Sequence, residues 1–149
     1  MEHIQTKTIL AISADAADVM IKDAESSFPD ECCGFFFGEE SESQRTISHA
    51  IPVINHKDGD KRRRFEINPI DYMKAERYAA EHDLSLLGVY HSHPLHPAIP
   101  SETDRLAAQP FFSYLIISVF PDNPVVLRSW RLNEQVQFEE ELVHTFQNR

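Results

Sequence analysis

The sequence lacks the segments that would insert the protein into a membrane or carry it across one. No run of apolar residues is long enough to span a bilayer. Residues 1–5 lack the basic and apolar regions of a signal peptide. We therefore expect a cytoplasmic protein that has no membrane partner.

Glycine is scarce, and the sequence contains no internal repeat and no low-complexity linker. Only four of the 149 residues are glycine, whereas 42% are hydrophobic. A chain of this length and composition can bury a substantial core without a second module. We predict a single domain that spans residues 1–149.

Cysteine is limited to the adjacent pair Cys32 and Cys33. Three phenylalanines follow at residues 35–37, so the context favours burial near the start of a strand over a disulfide framework. A reactive thiol is the alternative, because the pair neighbours Glu31. No feature of the sequence indicates the lowered pKa that such a thiol requires.

Positive charge is in the minority, and the formal net charge is −10. This argues against a nucleic-acid partner, because neutralising phosphates requires a broad cationic surface. The local exception is the basic run from Lys61 to Arg64. We interpret this run as a solvated strand edge, and contact with an acidic partner is the alternative.

The hydrophobic spacing predicts two helices. Ser13 is a suitable N-cap for the first helix, and Pro29 ends it. The apolar stripe of this helix comprises Ala17, Met20, Ile21, Ala24 and Phe28. Asn68 and Pro69 supply the N-cap and the first position of a second helix, which extends towards His82.

Shorter apolar runs predict strands. Residues 33–38 and 45–54 are expected to pair antiparallel around a polar turn at residues 39–43. The later strands are expected at residues 86–90, 114–120, 125–132 and 136–142. This mixture of helices and strands indicates an α/β or α+β fold.

The strand at residues 86–90 leads into His91-Ser92-His93-Pro94. Side chains two residues apart on a strand point the same way, so His91 and His93 can converge. After a proline-containing segment, Ser101 is a suitable N-cap for a short helix, and Asp104 lies in its first turn. Two imidazoles and a carboxylate can provide three metal ligands and leave a fourth position for water.

Each part of this pattern also has a structural interpretation. Ser101 with an acidic residue three positions later resembles a capping box, which could simply start a helix. His91 and His93 could be core or edge-strand histidines. The joint spacing of the four residues favours the metal site.

The same spacing resembles a known family signature. His-Ser-His-Pro, six residues, Ser, two residues and Asp is similar to the JAMM motif of the MPN+ metallopeptidases, also called the JAB domain. The family pattern requires an upstream glutamate, and Glu31 is the matching residue. Further similarity lies at residues 64–67 and 128–132, and the chain looks most like the short, stand-alone bacterial branch. The resemblance implies a central, mixed, curved β-sheet flanked by helices.

The resemblance also implies a mechanism. A zinc ion held by His91, His93 and Asp104 would lower the pKa of a bound water. Glu31 would act as the base and then pass the proton to the departing amine, while Ser101 would hydrogen-bond the developing oxyanion. The same two histidines and aspartate would also accept other divalent ions.

The implied substrate is a ubiquitin-fold protein. Members of this family cut peptide or isopeptide bonds after its C-terminal Gly-Gly, and the short bacterial members resemble processors of sulfur carriers. Such an enzyme would remove residues beyond the Gly-Gly or release cysteine made on the carrier's thiocarboxylate. The alternatives are a deubiquitinase-like isopeptidase in a bacterial ubiquitin-like conjugation pathway, a hydrolase of small amides and a non-catalytic MPN scaffold.

Two further residues have open interpretations. His96 lies in the loop after the motif and could touch a substrate, although a solvent-facing position is the simpler expectation. Trp130 lies in an alternating strand and is expected to pack in the core or against the edge of a substrate.

Overall fold

The computed structural model of the protein describes residues 8–147. The prediction about a signal peptide concerns residues 1–5, which lie outside this range. The described chain forms, in order, β1 (Ile9–Ser13), α1 (Ala14–Ser27), β2 (Cys33–Glu40), β3 (Gln44–Val53), α2 (Pro69–Glu81), β4 (Ser85–Pro94), α3 (Glu102–Ala107), β5 (Ser113–Val119), β6 (Val126–Leu132) and β7 (Phe138–Phe146). None of these helices has the length and apolar character needed to cross a bilayer.

The strands close into a barrel. Each strand pairs with the next in the order β1, β3, β2, β4, β5, β6, β7, and β7 pairs with β1. The pairs β1–β3, β1–β7 and β4–β5 are parallel, and the others are antiparallel. The mixed pairing and the α/β content are therefore as predicted. The expected central curved sheet flanked by helices is wrong, because β1, which we did not predict, joins the two edges that an open sheet would leave.

Alternation along β2 separates two hydrophobic clusters. Phe36 belongs to the cluster that contains Met20 of α1. Phe35 and Phe37 belong to the cluster that contains Ala75 of α2. Successive side chains of a strand point to opposite faces, so the two helices cover opposite faces of β2.

The first two helices begin at the predicted N-caps. Ser13 Oγ accepts a hydrogen bond from the backbone N–H of Ala16 at 3.1 Å, and Asn68 Oδ1 accepts one from Ile70 at 2.9 Å. Each bond satisfies a backbone donor that the first turn of a helix leaves free. Both helices are confirmed.

The boundary of one strand and the placement of the basic run differ from the predictions. The last strand begins at Phe138, later than predicted, because Asn133 Oδ1 accepts two backbone N–H groups and holds a turn in which Val136 has a φ of 59°. The basic run from Lys61 to Arg64 is not a strand edge, because it lies in the exposed loop between β3 and α2.

Strand β4 positions the predicted metal ligands. It lies between β2 and β5, and its His91 pairs with Cys33 on one side and with Ile116 on the other. Glu31 lies two residues before Cys33. The pairing of β2 with β4 therefore brings Glu31 close to the histidines.

We expect Gly88→Ala to destabilise the barrel. A Cβ atom at this position of β4 would lie well inside van der Waals distance of the Ser113 carbonyl oxygen and of the Phe36 ring. Overpacking of this kind costs roughly 1–3 kcal/mol, or more when backbone must move. The free energy of unfolding in urea measures the loss.

Gly59→Ala is the control for this substitution. Gly59 has a φ of 88° but no atom within 4 Å of the added Cβ, so only backbone strain of about 1 kcal/mol is expected. Equal losses at Gly88 and Gly59 would contradict the close approach of β4 and β5.

Candidate metal centre

Three side chains converge where β4 meets the start of α3. His91 Nε2 lies 3.2 Å from His93 Nε2 and 3.4 Å from Asp104 Oδ2. His93 Nε2 lies 3.3 Å from the same carboxylate oxygen. The structure thus brings together the three residues that the sequence predicted as metal ligands, and they form a group able to hold a metal ion.

The spacing of these three atoms fits a shared ion. Zinc binds nitrogen and oxygen at about 2.0–2.2 Å, which places tetrahedral ligand atoms about 3.3–3.5 Å from one another. A single proton can bridge only two atoms at a time, whereas a cation at the centre contacts all three. Two imidazoles and a carboxylate are a donor set that zinc accepts, as do other divalent metals.

His93 is oriented by a hydrogen bond on the far side of its ring. Its Nδ1 lies 2.8 Å from the carbonyl oxygen of Pro97. A carbonyl oxygen can only accept, so Nδ1 carries a proton, and Nε2 is the nitrogen that can present a lone pair once a metal replaces its hydrogen bond to Asp104. Burial lowers the pKa of His93, but the hydrogen bonds to Asp104 and Pro97 outweigh it, so this pKa is raised overall.

His91 is held by packing. Its side chain is only 1% exposed, and its ring stacks on Phe65 with the centroids 4.4 Å apart. Its buried Nδ1 has no hydrogen-bond partner within the described chain. Burial lowers the pKa of His91 despite the nearby Asp104 carboxylate, which favours the neutral form that binds a metal.

Ser101 and Asp104 form a capping box and also face the site. The backbone N–H of Ser101 donates to Asp104 Oδ2 at 2.9 Å, and Ser101 Oγ accepts from the backbone N–H of Asp104 at 3.0 Å. The two interpretations of these residues are therefore compatible. Burial raises the pKa of Asp104, but hydrogen bonds from His91 and His93 lower it by more, so this carboxylate stays ionised.

Glu31 lies in the same cleft. It shares a cavity of about 460 Å³ with His93, Ser101 and Asp104. The Glu31 residue is 7% exposed, and this burial raises the pKa of its carboxyl to about 8, although His93 opposes the shift.

The backbone around Glu31 is tied directly to β4. Cys32 donates its N–H to Ser92 Oγ at 2.8 Å, and Ser92 donates its N–H to the Cys32 carbonyl at 3.2 Å. Ser92, between the two histidines, thus anchors the segment that carries Glu31.

A single amide organises the loop between β3 and α2. Asn55 Nδ2 donates to the carbonyls of Glu31 and Arg64 at 3.1 and 3.0 Å. Its Oδ1 accepts from the N–H groups of Lys57 and Glu66 at 3.0 and 3.1 Å. We did not identify Asn55 from the sequence, because its four partners are known only once the loop is folded.

The loop of residues 95–100 is fastened by the neighbouring strands. Ser118 Oγ donates to the His96 carbonyl at 2.5 Å, and Trp130 Nε1 donates to the Ala98 carbonyl at 3.0 Å. Trp130 is half-buried, so it packs against the site loop rather than deep in the core. The His96 side chain is exposed, as expected, and it lines the cleft.

The two cysteines are buried and form no disulfide, as predicted. Burial raises the pKa of Cys33 to about 12 and also raises that of Cys32. Both thiols therefore remain protonated near neutral pH, which does not support the alternative of a reactive thiol.

Comparison with known sequences identifies the family. Residues 13–133 match the family described as prokaryotic homologs of the JAB domain. The chain belongs to this family. It is 32% identical to the CysO-cysteine peptidase of Mycobacterium tuberculosis over 136 residues, which cover 91% of this chain and 90% of that protein. It is also 32% identical to the desampylase of Haloferax volcanii over 137 residues, which cover 87% and 93% of the two chains.

Two solved structures share the fold of this chain. A protein from Desulfitobacterium hafniense superposes with a TM-score of 0.83 at 27% identity, over 93% of this chain and 94% of that one. A protein from Salinibacter ruber superposes with a TM-score of 0.66 at 33% identity, over 89% of each chain.

We expect the protein to bind one zinc ion and Asp104→Asn to weaken this binding. The asparagine oxygen can still accept from the Ser101 N–H, so the helix cap is preserved while the anionic ligand is lost. The affinity should fall by more than the roughly 10- to 100-fold that loss of an outer partner costs. Native mass spectrometry and competition with a chelator measure stoichiometry and affinity.

Asp18→Asn is the matched control, because Asp18 forms an exposed ion pair with Lys22 on α1. Its zinc affinity should equal that of the wild-type protein. Undiminished zinc binding by Asp104→Asn, at an unchanged melting temperature, would contradict the ligand set.

Proposed function

We propose that this JAB-domain protein is a zinc-dependent metallopeptidase that hydrolyses the bond after the C-terminal Gly-Gly of a ubiquitin-like protein, with a bacterial sulfur carrier as the substrate. The observation that carries the proposal is the convergence of His91, His93 and Asp104 beside Glu31 in one open cleft. The names of the two relatives support a peptidase that acts on a small ubiquitin-like protein.

A metal held by His91, His93 and Asp104 would polarise the scissile carbonyl and activate a water molecule. Glu31 takes the proton from this water and returns it to the departing amine. Burial raises the pKa of Glu31 to about 8, and a group that titrates near the working pH is suited to accepting and then returning a proton.

We assign Ser101 the role of stabilising the negative charge that develops on the carbonyl oxygen. Its Oγ accepts the N–H of Asp104, which leaves the hydroxyl proton free to be donated into the cleft. A donor that is already oriented stabilises an oxyanion without reorganisation during the reaction.

An isopeptidase that releases a ubiquitin-like modifier from lysine is the second candidate. The similarity to the desampylase of Haloferax volcanii favours it, and the same residues would perform the chemistry. A non-catalytic scaffold would give no reason for Glu31 to be buried beside the three ligand residues. Comparing a carrier that has a C-terminal extension with a lysine-linked conjugate distinguishes the two hydrolytic candidates.

We expect Glu31→Gln to bind zinc normally and to lose roughly 10²- to 10⁴-fold in kcat. The amide keeps the shape of the side chain but cannot accept a proton. The substrate is a sulfur carrier extended past its Gly-Gly, and the intact mass of the carrier reports cleavage. Glu39→Gln at the exposed end of β2 is the control and should cleave normally. Normal turnover by Glu31→Gln would refute the assignment of Glu31 as the base.

We expect Ser101→Ala to lose roughly 10²- to 10³-fold in kcat, because an oxyanion donor is removed. The lost helix cap should also cost about 1 kcal/mol of stability. Ser13→Ala removes the equivalent cap of α1, far along the chain from the metal ligands, and should cost similar stability without loss of activity. If both variants have a lower melting temperature and neither has a lower kcat, Ser101 acts only as a helix cap.

A further inference from the structure

Two arginines line the cleft beside Glu31 without an acidic partner. The side chains of Arg63 and Arg64 are exposed and border the space that contains His93 and Asp104. Among the ion pairs of residues 8–147, none involves either guanidinium. Arg64 Nη1 donates one hydrogen bond, to the Arg63 carbonyl at 2.8 Å. Cations that form no ion pair at the edge of a cleft, in a chain with a net charge of −10, favour an anionic ligand over a neutral one.

The position of these arginines relative to Glu31 is set by hydrogen bonds. Asn55 Nδ2 bonds the carbonyls of both Glu31 and Arg64, and the Lys61 carbonyl accepts the N–H of Glu31 at 2.7 Å. These hydrogen bonds therefore attach the basic run from Lys61 to Arg64 to the segment that carries Glu31, the proposed proton acceptor. Arg64 is close enough for its charge to lower the pKa of the Glu31 carboxyl in part.

A second cavity, of about 210 Å³, lies next to the cleft. Arg63 and Arg64 line it as well, together with His91, Asp104 and apolar side chains that include Phe65. Arg63 and Arg64 therefore border both spaces, which leaves room beside them for a residue on the departing side of the scissile bond.

The proposed reaction places the departing amine beside Glu31, because Glu31 returns the proton to that nitrogen. In a single departing amino acid, the carboxylate carbon lies only about 2.5 Å from this nitrogen. In an internal peptide bond the same position holds a neutral carbonyl, and in a lysine isopeptide it holds a methylene. Only the first of these offers guanidiniums a carboxylate with which to form charge-assisted hydrogen bonds.

We propose that Arg63 and Arg64 form an anion subsite that binds the free α-carboxylate of a single departing residue. Among the substrates that the family resemblance implies, the two arginines thereby select a carrier extended by one amino acid over a longer extension or a lysine conjugate. Water supplies the hydroxyl of the new glycine carboxyl group, the C–N bond breaks, and the amine leaves with the proton from Glu31. This inference rests on the proposed function, and it specifies which substrates that function prefers.

Two substrates that differ only in their C-terminal group test the subsite. A ubiquitin-fold sulfur carrier ends in Gly-Gly-Ala, with either a free carboxylate or a C-terminal carboxamide. The zinc-loaded wild-type enzyme should cleave the free acid with a kcat/KM at least about 10-fold higher, as expected for a charge-assisted bond. The Arg63→Gln/Arg64→Gln double variant should cleave both substrates at the rate of the wild-type enzyme on the amide, within about 2-fold.

Arg62→Gln is the matched control, because Arg62 is exposed in the same turn but does not line the cleft. Its preference for the free acid should be unchanged. Equal cleavage of acid and amide by the wild-type enzyme would overturn the proposal. Equal losses on both substrates in the double variant would also overturn it, because the arginines would then contact the body of the carrier.

Binding to zinc-loaded Glu31→Gln separates failure of the subsite from failure of the proposed function. The affinity for each carrier is measured by titration calorimetry, without turnover. If the wild-type enzyme cleaves neither substrate but Glu31→Gln binds the free acid at least about 10-fold more tightly than the amide, the subsite stands and the hydrolytic function fails. Equal affinities for the two carriers would refute the subsite whatever the wild-type enzyme cleaves.

Discussion

Strand β4 lies between β2 and β5 in the barrel, and the candidate metal centre depends on that pairing. The antiparallel pairing with β2 brings Glu31 to the histidines, and the parallel pairing with β5 requires a crossover that contains α3 and Asp104. Gly88 allows the close approach of β4 and β5, because a larger side chain would meet the Ser113 carbonyl. A shift of β4 by one residue would turn both histidines to the other face of the sheet.

Two carboxyl groups share the cleft, but their pKa values are shifted in opposite directions. Burial raises the pKa of Glu31 to about 8, whereas the pKa of Asp104 is lowered because hydrogen bonds from two histidines outweigh the effect of burial. A site that separates its carboxyl pKa values in this way suits one group to carrying a proton and the other to remaining an anion. This separation fits the roles proposed for Glu31 as base and Asp104 as metal ligand.

The loop between β3 and α2 lines the cleft together with the signature motif. It contains Phe65, which stacks on His91, and the two arginines that face Glu31. Asn55 holds this irregular backbone by using both donors and its acceptor oxygen, so that four backbone groups are satisfied without regular secondary structure. One neutral amide therefore fixes the position of the backbone that carries the basic side chains of this loop.

Local rules were sufficient for much of the fold and for part of the site. The caps at Ser13 and Asn68 and the common direction of His91 and His93 follow from neighbours within four positions, so the sequence itself determined them. The similarity to the JAMM signature was needed to single out Glu31, because no local rule links it to residues 60 positions later.

Tertiary structure alone decided the closure of the barrel, the approach of Asp104 to both histidines and the contacts of Asn55 and Trp130. Closure pairs Ile9 with Leu142, almost the whole chain apart, and the Trp130 indole reaches the Ala98 carbonyl. Such contacts form only when the intervening chain has packed, because the entropy lost on closing a long loop must be offset by many interactions at once. The sequence therefore determined which side chains share one face of a helix or strand. The packing of elements that are distant in the chain determined which of these side chains share a cleft.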